Sequence, residues 1–298
     1  MGFDSTLIDE IDQDTVETEE SVFPTIQWAY GSNKLKAAGN INYHGGFFIS
    51  ESNVPGGVNM EAKGWKKEIY VPKDDEIEGW ATRQLSFSVI NKRHRWELKV
   101  GNRTLYFPWA GGWEAAKAAG EALPRPKSPS GRIQCIVLIK GMEEAGPLVL
   151  TMKGTAGMAL DDRRKPQSVL QHLTRTVKAA ADLKTKPQRW PLRAFWVTVR
   201  VDQDAKGNPI FTKVGSDEDS SNLVLPVAFG LPEKASEVNL DDFALDKDTL
   251  RQANAIHSDT LAWASAWDTI EPGTAKGEDK DREPAVEVAD DAVAAAGL

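Results

Sequence analysis

The chain has 298 residues, a hydrophobic content of 41% and a formal net charge of −8, and it is long enough to bury a sizeable core. Its single cysteine, Cys135, excludes an intrachain disulfide, and no apolar run approaches the roughly 20 residues that a membrane-spanning helix needs. The N-terminal residues are acidic where a secretion signal would be basic and then apolar, so we expect a cytoplasmic protein.

Charge is distributed unevenly along the chain. Residues 1–22 hold eight acids and no Lys or Arg, and residues 271–298 hold eight acids against three basic residues. The Asp-rich stretch 231–270 also has eight acids and three bases, so subtracting these three segments from the total leaves 23–230 with a net charge of +10. We interpret the chain as a basic body between two acidic ends that are disordered, 1–22 and 271–298.

Short β-strands are predicted in the first part of the body, because apolar runs there are bounded by Gly, Pro or Asn. They are Phe23–Tyr30, Ile41–Ser50 and Trp65–Val71. From Gly79 to Pro108 apolar residues alternate with polar ones, which predicts a hairpin or meander with one solvent-exposed face. That face would carry Arg93, Arg95 and Lys99.

A short helix is expected at 110–123, and the Pro- and Ser-rich stretch 124–131 separates it from further strands and two longer helices. The strands are Arg132–Gly141, Leu148–Lys153, 190–202, Ile210–Val214 and Asn222–Phe229; the helices run from about Asp161 and over Asp248–Ile270. We therefore predict a β-rich α+β protein with two modules, 23–123 and 128–270. Each would contain an oligonucleotide-binding (OB)-like or related antiparallel β-barrel or sheet.

The sequence contains no recognisable catalytic or metal-binding motif. The four histidines are far apart and there is no pair of cysteines, so no zinc site is predicted. The segment Asp202–Gly207 begins like a calcium loop, but Lys206 and Lys213 occupy ligand positions, which indicates a hairpin turn. Gly-rich phosphate loops and nucleophile elbows are also missing from the sequence. We predict a non-enzymatic protein without a cofactor, and keep an enzyme of unknown class as a second alternative.

Basic residues are interleaved with aromatic residues in the first module. Single-stranded nucleic acid is bound by this combination, because cations follow the phosphates while rings stack on bases, at about 1–3 kcal/mol per base. The expected phosphate contacts are Lys34, Lys36, Lys66, Lys67, Arg93, Arg95, Lys99 and Arg103. The expected stacking residues are Trp28, Tyr43, Phe47, Trp65 and, last in rank because alternation places it on the apolar side of its strand, Trp96. The alternative is a purely structural role, in which the rings fill the core and the charged side chains keep the strand surface hydrated.

The acidic C-terminal segment follows the basic and aromatic strands, and this order of segments is informative. Acids recur in Glu278-Asp279-Lys280-Asp281, at Glu283 and in 287–291, behind the basic and aromatic strands. In this layout the chain resembles bacterial, phage and plasmid single-stranded DNA-binding proteins, which place an OB-type barrel first and an acidic, partner-recruiting tail last. Those tails end in acids and an aromatic residue, whereas this chain ends in Ala294-Ala-Ala-Gly-Leu298.

The resemblance implies non-enzymatic binding of single-stranded DNA, with RNA left open, during replication or recombination of a phage or plasmid. A replication or recombination protein would then bind the tail, and no membrane would be involved. The rival is a protein-interaction or assembly module whose basic body binds an acidic partner. A continuous positive groove favours nucleic acid, a flat apolar patch favours assembly, and a deep pocket with converging carboxylates favours catalysis.

Overall fold

The computed structural model describes residues 23–31, 41–71, 76–162, 165, 167–184, 190–214, 221–232, 237 and 239–276. The predicted acidic arm 1–22 and the predicted tail from residue 277 onward lie outside the described residues. So do Lys34, Lys36 and the side chain of Tyr43, which were predicted to contact nucleic acid.

Thirteen strands are found in the described part of the chain. They are β1 (Thr25–Ala29), β2 (Gly46–Ser50), β3 (Lys66–Tyr70), β4 (Ile77–Thr82), β5 (Gln84–Val100), β6 (Arg103–Pro108), β7 (Ser130–Ile139), β8 (Leu148–Lys153), β9 (Val197–Val201), β10 (Phe211–Val214), β11 (Ser221–Val224), β12 (Pro226–Phe229) and β13 (Thr274–Lys276). Eleven of these described strands form one large sheet, and β10 and β11 pair separately as a hairpin.

The 17-residue strand β5 organises the large sheet. β7 pairs along one edge of β5, whereas β9 and β6 share the other edge, one near each end. The order from edge to edge is β12–β9–β5–β7–β8–β1–β2–β4–β3, and β13 extends the sheet beyond β6. Of the strand pairs in the described part, β1 with β8 is the parallel one.

The predicted β-rich α+β class is confirmed, and within the described residues the sheet is open, without the closure of a barrel. Strands from 23–123 and 128–270 interleave in this one sheet, because β7 and β9 pair with β5 and β8 pairs with β1. The stretch 124–131 therefore connects two parts of the same sheet.

Six α-helices accompany the sheet in the described residues. They are α1 (Ile41–His44), α2 (Trp113–Glu121), α3 (Gly154–Leu160), α4 (Val169–Lys184), α5 (Lys247–Asp259) and α6 (Leu261–Ser265). The two longer predicted helices are present as α4 and α5, but the one predicted over Asp248–Ile270 ends at Asp259, and Leu261–Ser265 forms the separate helix α6. The first begins at Val169 and not near Asp161, because Asp161 caps the end of the preceding short helix α3.

A β-bulge explains the change of pattern along β5. Within the predicted hairpin or meander, apolar residues occupy odd positions up to Val89 and even positions from Trp96 onward. β5 is continuous instead, and its pairing with β7 shifts register between Val89 and Asn91. An extra residue at a bulge reverses the phase of alternation, so both halves of β5 place their apolar side chains on the same face.

The two faces of the sheet differ in character. The core face carries a large apolar cluster that includes Phe47, Phe87 and Leu150, and it is covered by α3, α4 and the loop containing Met60 and Trp65. On the second face, α5 and α6 cover a smaller apolar cluster around Ile136 and Leu138. Polar side chains of β5, β7 and β8 occupy the rest of the second face near Arg95.

The rings predicted to stack on bases lie in the core wherever the structure describes them. Trp28, Phe47 and Trp65 belong to the main cluster on the core face, and Trp96 is buried with Leu98 at the end of β5. A buried ring offers no face to a ligand. These four residues therefore pack in the core, and the prediction that their rings are exposed and stack on bases is wrong.

Trp65→Ala should lower the free energy of unfolding by about 3–5 kcal/mol, the usual cost of removing a large buried ring. The side chain is 3% exposed and packs in the main cluster. Chemical denaturation followed by circular dichroism measures this cost. The matched control is Ile69→Ala, at a 41% exposed position of the edge strand β3, which should cost less than about 1 kcal/mol. Equal costs for the two variants would place Trp65 outside the core.

Candidate nucleic-acid interface

Two polar rows cross three neighbouring strands on the second face. The register pairs residues of β5 with residues of β7, and these in turn with residues of β8. Directly paired residues project from the same face of a sheet, so each row is contiguous. The first row is Arg93, Gln134 and Thr151; the second is Arg95, Arg132 and Lys153.

Arg93 and Arg95 are buried, which corrects the prediction that they lie on a solvent-exposed face. The Cζ atom of Arg93 lies 4.1 Å and 4.2 Å from the ring centroids of Trp263 and Trp267. The Cζ atom of Arg95 lies 4.1 Å from the same Trp267 ring and 3.8 Å from that of Tyr106. Cations and rings thus alternate in a stack that attaches the chain after α6 to β5.

Glu97 is a buried carboxylate that lies between three cations. Its Oε1 atom is 2.9 Å from Nη2 of Arg95 and 2.7 Å from Nε of Arg132, and its Oε2 atom is 3.8 Å from Nζ of Lys153. Lys99 follows two residues later on the same face of β5 and is exposed. Three cations therefore contact this carboxylate, and Lys99 is close enough for its charge to act on Lys153, so the group of four cations and one acid has a net charge of +3.

The cations of this group differ in exposure. The side chains of Lys153 and Arg132 are 51% and 20% exposed, whereas Arg95 is enclosed by its rings. Burial lowers the pKa of Lys153, the charges of Arg132, Arg95 and Lys99 lower it further, and Glu97 raises it. Positive charge is therefore locally in excess, and an anion brought to this surface would relieve the repulsion. We call Lys99, Arg132 and Lys153 the basic rim.

The structure brings only part of the predicted phosphate contacts together. Arg95 and Lys99 belong to the group around Glu97. Arg103 is exposed on β6, but its register with Val100 makes it project away from Lys99, towards the other face. Lys66 and Lys67 are exposed on the edge strand β3, several strands from the rim. There Lys67 is 2.8 Å from Glu51 and 3.3 Å from Glu78.

Arg132 and Lys153 were not predicted as site residues. They stand at the ends of two strands that the sequence marks only as apolar, Arg132–Gly141 and Leu148–Lys153. Their contribution depends on the register that aligns them with Arg95, and this pairing joins residues far apart in the chain. The one feature of the sequence that could have indicated these two site residues is the basic residue at the end of each apolar strand.

A second polar cluster lies on the core face around the buried Asp161. Its Oδ2 atom forms an ion pair with Lys92 and lies 3.2 Å from Nε2 of His94, while Gln171 donates to Oδ1 over 2.7 Å. Burial acts to raise the pKa of Asp161. The hydrogen bonds from His94 and Gln171 and the charge of Lys92 outweigh it and hold that pKa well below its usual range. Asp161 thus connects β5 to α4.

Nothing in this cluster is an activated nucleophile among the described residues. Cys135 pairs in register with Lys92 but is fully buried, and burial raises the pKa of its thiol to about 12. A thiol of that pKa is not ionised at neutral pH and is therefore unreactive.

The described residues contain no group of three or more His, Cys, Asp or Glu placed to hold a metal ion. As predicted, Asp202–Gly207 lies in a turn, where Oδ1 of Asp204 accepts backbone hydrogen bonds from Lys206 and Asn208 over 2.8 Å and 2.9 Å. In the part of the chain that the structure describes, every helix is too short or too polar to cross a membrane.

Comparisons with protein families, with curated proteins and with solved structures found no match. The function therefore has to be inferred from the chemistry of the surface itself.

Asp161→Asn should lower the free energy of unfolding at neutral pH by about 3 kcal/mol, the low end for breaking a buried ion pair, because Lys92 reaches solvent. The folded-state pKa of Asp161 is depressed, so its contribution is complete above the unfolded value of about 4 and declines as the pH falls below it. The difference between variant and wild type should accordingly shrink in acid. Urea denaturation at pH 7 and pH 3 measures both effects.

The control for this variant is Asp248→Asn, because Asp248 pairs with Arg251 over 3.0 Å on the exposed surface of α5. It should cost less than about 1 kcal/mol at either pH. If Asp161→Asn cost no more than this control at neutral pH, the cluster would not be the connection between β5 and α4.

Proposed function

We propose that the protein binds single-stranded nucleic acid, DNA in the first instance, through the basic rim and without catalysis. The observation that carries this proposal is the convergence of Arg132 and Lys153 on one buried carboxylate, with Lys99 of a third strand close enough for its charge to act on Lys153. Cations placed side by side on a sheet surface bind successive phosphates of a polyanion.

The side chains behind the rim support this function by fixing its geometry. Arg95 is held between Tyr106 and Trp267, and it contacts Glu97 through Nε and Nη2 at 2.9 Å each. Glu97 in turn contacts Nε of Arg132. The guanidinium of Arg132 is therefore oriented before a ligand arrives, which reduces the entropy lost on binding. Arg95 and Glu97 act as positioning residues.

A single strand suits this surface better than a duplex. Beside the rim, the half-buried side chains of Thr151 and Gln27 continue the polar row across β8 and β1. An open sheet surface lets unpaired bases spread over it and meet such hydrogen-bonding groups. A role in replication or recombination of a phage or plasmid, in the cytoplasm, follows from the layout of the chain and belongs to the same proposal.

Assembly through an apolar patch has less support in the described residues. Five large apolar side chains there are at least 41% exposed, and each lies on a different segment. They are Ile69, Trp190, Ile210, Phe229 and Leu261. Scattered exposed apolar residues are normal for a protein surface and do not by themselves indicate a partner.

The logarithm of the affinity for an oligodeoxynucleotide should fall with the logarithm of the salt concentration with a slope of about −2, from three phosphate contacts at about −0.7 each. Arg132→Ala and Lys153→Ala should each weaken binding at low salt and make the slope about 0.7 shallower. Fluorescence anisotropy over a salt series measures both quantities.

The matched control for these substitutions is Lys67→Ala, because Lys67 is paired with Glu51 and Glu78 at the distant edge of the sheet. It should leave the slope unchanged. Absence of binding by the wild-type protein at low salt, or equal effects of all three substitutions, would exclude the rim as the nucleic-acid site.

Removal of residues 277–298 should tighten binding, and more at low salt than at high salt. This segment has seven acids and two basic residues, a net charge of −5. It follows β13, where Lys276 is paired with Thr104 and thereby lies two strands from Lys99 of the rim. The acids therefore compete locally with a polyanion, and salt screens this competition.

The truncation should start after Lys276, because Thr274–Lys276 pairs with β6. The first residues of the predicted tail 271–298 thus belong to the fold. A full-length variant with the seven acids changed to Asn or Gln should reproduce the effect of truncation if charge is the cause. Anisotropy at two salt concentrations provides the measurement, and equal affinities of all three proteins at low salt would contradict the prediction.

A further inference from the structure

A groove near the end of β5 has one aromatic wall and charged edges. It lies between α2 and the loop that follows it and measures about 260 Å³. Its lining includes Trp113, Lys117, Glu121, Pro126, Lys127 and Pro129. Pockets for small molecules usually measure roughly 300–1,000 Å³, so this groove suits one flat ring better than an enclosed metabolite.

The aromatic wall is held from behind by two further tryptophans. The ring centroid of Trp113 lies 4.6 Å from that of Trp96, and Trp96 stacks on Trp109 with centroids 4.2 Å apart. Trp96 is buried, whereas Trp113 is only partly covered and lines the groove. Trp113 is therefore a supported ring with a surface available to a ligand, unlike the four buried rings that had been predicted to stack.

The opposite wall is fixed to α2 and to the backbone of β5 at Lys99. The backbone N–H of Lys127 donates to the carbonyl oxygen of Gly120 over 3.1 Å, and Nζ of Lys127 donates to the carbonyl oxygen of Lys99 over 3.3 Å. A Cβ atom at Gly120 would collide with the carbonyl oxygen of Lys127, so glycine is required for this close approach. The groove and the rim therefore meet at the backbone of Lys99, whose side chain belongs to the rim on the second face, while Trp113 and Trp96 lie towards the core face.

We propose that this groove binds one base of a strand that passes around the sheet edge at Lys99 and whose neighbouring phosphates lie on the basic rim. This inference rests on the proposed function and adds the stacking group that the rim lacks. The base stacks against Trp113, opposite the prolines, while Lys127 attracts a flanking phosphate; Lys117 lies 3.7 Å from Glu121 and remains paired with that carboxylate. Stacking accepts any base because every base has a flat π-face, so the site gives affinity without sequence preference.

The test compares an oligothymidylate with an abasic strand of the same length, because both carry the same phosphates and only one carries bases. Wild-type protein should prefer the oligothymidylate. Trp113→Ala should weaken oligothymidylate binding by roughly 5- to 150-fold and leave the affinity for the abasic strand within about twofold. Trp113→Phe should lose less affinity for the oligothymidylate, because the smaller phenyl ring can still stack on a base.

The matched control is Trp190→Ala. Trp190 is 41% exposed, and its segment is held to Ser88 of β5 through a hydrogen bond from Ser88 Oγ to the carbonyl oxygen of Arg193. Trp113 packs near Leu98, ten residues further along the same strand and therefore roughly 33 Å away. Trp190→Ala should keep the full preference for the oligothymidylate.

A measurement on the wild-type protein avoids dependence on the folding of Trp113→Ala. An oligonucleotide with 5-iodouracil, cross-linked by ultraviolet light and mapped by mass spectrometry, should attach to the peptide that contains Trp113. Cross-links confined to other peptides, or an unchanged preference in a folded Trp113→Ala variant, overturn the base site. If rim substitutions still weaken binding in that case, the proposed function stands; if wild type binds neither strand at low salt, both proposals fail.

Discussion

The shift of register between Val89 and Asn91 is the constraint on which the rest of the structure depends. One extra residue in β5 directs Phe87 and Trp96 to the same face although one position is odd and the other even. The intervening arginines are turned to the second face by the same shift. Without it, either the second half of β5 would expose its apolar residues or Arg93 and Arg95 would enter the main core, where unpaired cations are costly.

The arginines are tolerated in the interior because their surroundings compensate their charge. Arg93 packs between two tryptophan rings and donates a hydrogen bond to the amide oxygen of Gln134. Arg95 packs between two aromatic rings and pairs with Glu97. Each cation–π contact contributes about 0.5–2 kcal/mol, more when water is excluded. The chain that supplies the two tryptophans continues into β13, which pairs with β6.

Local sequence patterns predicted the strands and helices, but which side chains share a face of the sheet depends on pairing between strands that are far apart in the chain. Alternation and turn residues located most strands and both longer helices, because these signals lie within a few residues of one another. The change of phase between Val89 and Trp96 is visible in the sequence, but alternation alone does not say that it marks a bulge within one strand. The aromatic residues were expected on the surface because they stand next to cationic residues in the sequence. Adjacent residues of a strand project from opposite faces, however, so a ring beside an exposed cation is directed into the core. The rim itself needs β5, β7 and β8 in register, and a single sequence contains no record of that register.

The stretch 124–131 has the composition of a linker, yet β5 before it and the ten-residue strand β7 after it are paired along the sheet. Cleavage within this stretch would leave a nicked protein whose two pieces remain hydrogen-bonded to each other. Producing either piece alone has the opposite consequence. Each would present a long unpaired strand edge to solvent, and such an edge is a template for aggregation. Experiments that dissect this protein are therefore better made by substitution or by trimming its ends than by dividing it at its most obvious boundary.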